Sequence, residues 1–161
     1  MNPTPEPAAF RRILFCTDFS ENADIAFAFA VAEVRRAPDA SLHLLHVVPE
    51  PDAQFWKTYI QDVGDADRKA REDMDAKIRE SYQSRLPPGL SMTVTLRSGA
   101  ADQEILAYAD EIRADLLVIG REGRSSLGKV LFGNVTEKVV RKARCAVLVV
   151  PRTFADDAVH G

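Results

Sequence analysis

Four runs of successive apolar residues punctuate this chain: RILFCT at 12–17, SLHLLHVV at 41–48, DLLVIG at 115–120 and CAVLVV at 145–150. Each has the length of a strand. A strand that is apolar on both sides has both faces buried, as in a parallel sheet covered by helices. The segments between the runs carry a different period. Ala23, Ala26, Phe27, Ala30, Val31 and Val34 recur at three- and four-residue steps. So do Ala70, Met74, Ile78 and Tyr82, and later Ile105, Leu106, Ala109 and Ile112. These spacings predict amphipathic helices, and a further helix is expected over about 134–143. LSMTVTLR at 90–97 alternates, with Leu90, Met92, Val94 and Leu96 on one face. It reads as the third strand in chain order, at a half-wet sheet edge. The order β-α-β-α-β-α-β-α-β predicts an α/β fold: a five-stranded parallel open sheet, helices on both faces, right-handed crossovers.

A chain of 161 residues amounts to one domain and can bury a core without staples. The expected organisation is a mobile, proline-spaced leader at 1–11, a single domain at 12–151 and a tail at 152–161. A net charge of −3 argues against a general nucleic-acid binder. Cys16 and Cys145 form no C-x-x-C pair and read as small buried apolar residues. The first residues lack the apolar run of a secretory signal, and no segment approaches the length of a membrane span. A cytoplasmic protein without nucleic-acid or membrane partners is expected.

Open α/β sheets bind ligands beyond the carboxyl ends of their strands, where the strand order reverses. Thr17 and Asp18 follow the first strand, Val47 and Val48 end the second, and GREGRSSLGKVLFGN at 120–134 follows the fourth. The glycine-rich stretch is not the G-x-x-x-x-G-K-[ST] phosphate loop. Its composition still suits phosphate: Arg121, Arg124 and Lys129 outnumber Glu122. Gly120 and Gly123 read as positions that permit positive φ and close backbone approach. Asn134 reads as a helix N-cap with Glu137 three residues on, as in a capping box. A helix N-terminus offers unpaired N–H groups to an anion. Helix capping by itself also accounts for Gly133-Asn134, and Asp18 could equally cap the first helix. If the first and fourth strands are neighbours, Asp18 and Gly120 face one crevice.

Other candidates carry less. His43 and His46 are three apart on one strand, so they point to opposite faces and read as packing residues. Ser20, Ser125 and Ser126 have no histidine–acid partner placed by any motif, which leaves a hydrolase triad unsupported. The charged run at 65–85 reads as a solvated helix face, and Trp56 has no assigned role.

Together these residues resemble the universal stress protein family. ILFCTDFSENADIAFAFA is similar to the family's opening strand, Asp-bearing turn and first helix. HLLHVV is similar to its second strand, and DLLVIGREGRSSLGKVLFGNVTEKVVRKARCAVLVV to its C-terminal third. The nucleotide-binding branch carries G-x2-G-x9-G-[ST]; Gly120, Gly123 and Gly133 keep that spacing. The resemblance implies the strand order 3-2-1-4-5, which makes the first and fourth strands adjacent. It implies ATP as ligand; Mg²⁺ or Mn²⁺ bridging the phosphates is expected from the charge of Glu122 beside them. Asp18 would lie at the adenine and ribose end, beside Thr17, and the Val47 backbone would recognise adenine. Gly120 and Gly123 would run along ribose and phosphates, with Arg121 and Arg124 in the same loop. Gly133, Asn134 and Val135 would present N–H groups to the phosphates. A homodimer through the last strand would use Val147, Val149 and Val150.

The chain departs from the family pattern at several positions. Asn134 stands where Ser or Thr is usual, and keeps an amide donor. Glu122 stands where many members have His, and a carboxylate beside phosphates repels them unless it turns away or meets a metal ion. Ala101 and Ala146 replace frequent prolines. The expected function is an ATP-binding stress-response switch or interaction module. The alternatives are a nucleotide-independent dimeric or chaperone-like module and, behind it, a slow ATPase.

Overall fold

The computed structural model describes residues 9–49, 64–122 and 133–153. The start of the leader, Trp56, Gly123, Arg124 and the end of the tail lie outside the described residues. The elements in order are β1 (Arg12–Thr17), α1 (Glu21–Val34), β2 (Ser41–Pro49), α2 (Gly64–Ser81), β3 (Met92–Gly99), α3 (Ala101–Glu111), β4 (Leu116–Gly120), α4 (Asn134–Lys142) and β5 (Ala146–Val150). A short 3₁₀ turn, Gln83–Arg85, follows α2. All pairings are parallel, and the sheet order is β3-β2-β1-β4-β5. The β-α alternation and the order implied by the resemblance are both observed.

The apolar runs become strands because both faces of the sheet are covered. On one face Ile13, Phe15, Leu42, Leu44, Leu116, Val118 and Val150 pack under α1 and the end of α2. On the other, Leu14, Cys16, Leu45, Val47, Leu117 and Ile119 pack under α3 and α4. Successive strand residues therefore alternate between two buried cores, so a central strand needs no polar positions. Met92, Val94 and Leu96 lie on the first face, and β3 is the edge strand the alternation predicts. His43 and His46 fall on opposite faces. His46 Nδ1 is 2.8 Å from the Thr17 carbonyl oxygen, and His43 Nε2 is 3.2 Å from Ser41 Oγ. Cys16 is buried, and burial pushes its thiol pKa up, so it stays a neutral thiol. Cys145 is only partly buried.

Of the stripe expected for this helix, only the C-terminal half meets the core, and Tyr82 falls just past the end of α2. Ala70 is exposed, Met74 is half-buried, and Ile78 and Tyr82 are buried. Asp115, expected as the first residue of the fourth strand, precedes β4. There Oδ2 accepts the backbone N–H groups of Arg11 and Arg12, at 2.8 Å each, and ties β4 to the entry of β1.

Candidate nucleotide cleft

The β1–β4 pairing stops at Phe15↔Val118, although β1 continues to Thr17 and β4 to Gly120. β4 stays paired with β5 through Gly120↔Val150. The sheet therefore opens between β1 and β4 at its carboxyl edge, where the strand order reverses. β2 runs past the last β1 pair, so Val47, Val48 and Pro49 pair with β3 alone and wall the opening on that side. Thr17, Asp18, Val47, Gly120 and Arg121 all lie around this gap.

The turn after β1 is tightly built. Asp18 Oδ1 accepts the Ser20 N–H at 2.9 Å, an Asx turn. Ser20 is the N-cap of α1, its Oγ accepting the Ala23 N–H at 3.2 Å. Asp18 thus shapes the turn, and the capping role falls to Ser20. Phe19 between them has φ 62, a left-handed conformation that is costly for a bulky residue. Its ring holds it there: centroids lie 4.6 Å from His46 and 5.9 Å from Tyr82, and Lys77 Nζ is 4.3 Å above it. The Thr17 hydroxyl bonds the Tyr82 hydroxyl and accepts the Phe19 N–H at 2.9 Å. Burial raises the Tyr82 pKa, which keeps its O–H protonated. Thr17 is buried, so it supports the turn from beneath.

The exit of β4 is clamped from several directions. Gly120 carbonyl accepts the Thr136 hydroxyl at 2.9 Å, tying it to the first turn of α4. The Arg121 N–H donates to Val150 O at 2.9 Å, and the Gly133 N–H donates to Arg121 O at 3.0 Å, closing the base of the loop. The Glu122 N–H donates to Asn22 Oδ1 at 2.8 Å. The Glu122 carboxylate lies 3.1 Å from Arg121 Nη2, and this pairing reduces the charge conflict expected beside phosphate.

Two expectations differ from the structure. Gly120 is not among the glycines with positive φ; it ends β4 in the ladder with Val150. What demands glycine is space, since a Cβ there would sit 3.0 Å from Asn22 Cγ. Nor is Asn134 the N-cap of α4. Gly133 holds that position, without a side-chain hydrogen bond, and Asn134 is the first helical residue. The capping box with Glu137 does not form; the Glu137 N–H instead makes the first helical bond, to Gly133 O at 2.9 Å. The backbone N–H groups of Asn134, Val135 and Thr136 consequently have no acceptor among the described residues.

The sequence profile of the universal stress protein family matches residues 9–151. The chain belongs to the universal stress protein family. Among curated family members, MJ0577 of Methanocaldococcus jannaschii is 27% identical, with 89% of this chain and 96% of that protein covered. Sll1654 of Synechocystis is 32% identical, with 88% and 86% covered. The solved structure of MJ0577 superposes with a TM-score of 0.71 at 26% identity, over 89% of this chain and 97% of that one. A family structure from Archaeoglobus fulgidus, solved in complex with dAMP, shares the fold at a TM-score of 0.59 and 20% identity, over 89% and 99%.

Within this universal stress protein, three residues that the sequence pattern does not single out hold the rims of the cleft. Locally, Asn22 reads as part of a helix start, Thr136 as helix, and Tyr82 only as the end of a stripe. All three are buried and bonded to the cleft walls. Among the described residues no three His, Cys, Asp or Glu side chains are grouped to hold a metal ion. No helix among them is long and apolar enough to cross a membrane.

Proposed function

We propose that this universal stress protein binds ATP in the β1–β4 cleft and acts in the cytoplasm as a nucleotide-dependent switch or interaction module. One observation carries the reading. The N-terminus of α4 begins beside Gly120 with three backbone N–H groups that take no acceptor from the described residues. An unpaired first turn carries positive dipole charge and donors, the chemistry that recognises phosphate. Asn134 and Val135, together with Thr136, would offer N–H groups to the phosphates, with Arg121 and Arg124 adding positive charge; the Gly133 N–H, expected among these donors, is instead taken by Arg121 O. Asp18 and the Val47 backbone would meet the nucleoside, and Gly120 and Gly123 would line the path between. The dAMP complex of the Archaeoglobus fulgidus relative supports an adenine nucleotide as the class of ligand. Mg²⁺ or Mn²⁺ would arrive with the phosphates and offset their charge near Glu122.

The two carboxylates at the cleft are already engaged: Asp18 in its turn and Glu122 with Arg121. Neither is set up as a general base. Incubation with labelled ATP is therefore expected to yield bound, intact nucleotide. Sustained phosphate release over many turnovers would instead make the protein an ATPase.

The same reading includes a homodimer. β5 pairs only with β4, and its other edge has no partner among the described residues. A bare apolar edge invites a second strand. Val147 and Val149 are half-buried, while the Val150 side chain sits in the chain's own core and its carbonyl is held by Arg121 and Asn22, so Val147 and Val149 would carry the contact. Val149→Lys is expected to give a folded monomer by light scattering and circular dichroism. An unchanged dimer would place the contact elsewhere.

A further inference from the structure

We propose that Asn22 is a positioning residue of the cleft, whose one buried carboxamide fixes the exit of β4 against the end of β5. Asn22 is 2% exposed, although it lies in the first turn of α1, where a polar side chain ordinarily meets water. Its burial is compensated on both sides. Nδ2 donates to Val150 O at 2.8 Å, and Oδ1 accepts the Glu122 N–H at 2.8 Å. One partner is an acceptor and the other a donor, so the amide has a single workable orientation. Val150 O also receives the Arg121 N–H, so α1, the β4 exit and the β5 terminus converge on one carbonyl oxygen. Gly120 supplies the room, with the Asn22 carboxamide carbon lying 3.0 Å from where its Cβ would be.

The consequence concerns the two residues that leave β4. The Glu122 N–H is turned to α1 and is withdrawn from any ligand. The Arg121 backbone is fixed between Val150 O and Gly133 N. Asn22 does not itself need to touch nucleotide; it sets where the Gly120–Glu122 backbone stands relative to the α4 N-terminus. This effect on affinity rests on the nucleotide reading, whereas the clamp itself does not.

The test uses the full chain and three variants. Asn22→Ala removes both bonds. Asn22→Asp keeps the acceptor for Glu122 and loses the donor to Val150. Val34→Ala lowers stability from the far end of α1. Residue-resolved amide exchange by NMR is read alongside ATP affinity. In Asn22→Ala, exchange at the Glu122 amide is expected to rise about tenfold beyond the change at core strand amides. ATP affinity in that variant is expected to fall about tenfold. Asn22→Asp should keep Glu122 protected, and Val34→Ala should leave both readouts near wild type. Unchanged Glu122 exchange in Asn22→Ala would overturn the proposal, as would an equal loss of ATP affinity in Val34→Ala. If the wild type binds no ATP but Glu122 loses protection in Asn22→Ala, the clamp stands and the nucleotide reading falls.

Discussion

Tyr82→Ala is expected to lower the stability of this universal stress protein by about 3–5 kcal/mol, a large fraction of what a domain this size has. Tyr82 is fully buried. Its ring centroid lies 5.3 Å from Phe15, 4.9 Å from Phe27 and 5.9 Å from Phe19. Removing it would open a cavity bordered by a strand, a helix and the turn after β1 at once. No single neighbour can close such a space. The hydroxyl has a separate job, because it bonds Thr17, which in turn holds the Phe19 N–H. Tyr82→Phe keeps the rings and loses that bond, at a cost of about 1 kcal/mol. Urea unfolding of the pair separates the two contributions. A Tyr82→Ala protein within about 1 kcal/mol of wild type would mean that the aromatic cluster repacks freely.

Gly120→Val is expected to damage both stability and ligand binding. The new Cβ would meet Asn22 Cγ at 3.0 Å and both carboxamide heteroatoms at 3.2 Å. Asn22 cannot swing aside without breaking its bonds to Val150 O and the Glu122 N–H. The alternative is a displaced end of β4, against the Thr136 hydroxyl and the β5 ladder. Overpacking of this kind costs about 1–3 kcal/mol. Movement of the Gly120–Glu122 backbone should weaken ATP binding by at least about tenfold, since each 1.4 kcal/mol of misplaced contact is a factor of ten. Thermal unfolding and nucleotide titration of one preparation read both effects. A variant with wild-type values in each would contradict the steric demand for glycine at this position.

The architecture is legible in the sequence because burial on both faces imposes unbroken apolar runs, and the helices between them keep their own period. The strand order comes from the resemblance, since nothing in the local pattern pairs residues 13–15 with residues 116–118. The glycine loop is legible as composition, but the reason for Gly120 is not. Its neighbour Asn22 is about a hundred positions away in sequence and reads locally as the polar start of a helix. The same distance hides the clamp, whose partners lie 100 and 128 positions from Asn22. Asn134 reads as a cap because it is a good one by type. In the structure the helix begins one residue earlier than that reading requires, and the cap position falls to Gly133. Tyr82 shows its periodicity but not its three ring contacts, which depend on where α2 lands on the sheet.

The most direct test of nucleotide binding is calorimetric titration of ATP into nucleotide-stripped protein, with and without Mg²⁺ and with Gly123→Val as control. Stripping removes any ATP carried through purification. Saturable binding by the wild type, abolished in a folded Gly123→Val protein, is the expected result. A well-folded wild type that takes up no ATP under either condition would contradict the nucleotide cleft and favour a family member that works without nucleotide.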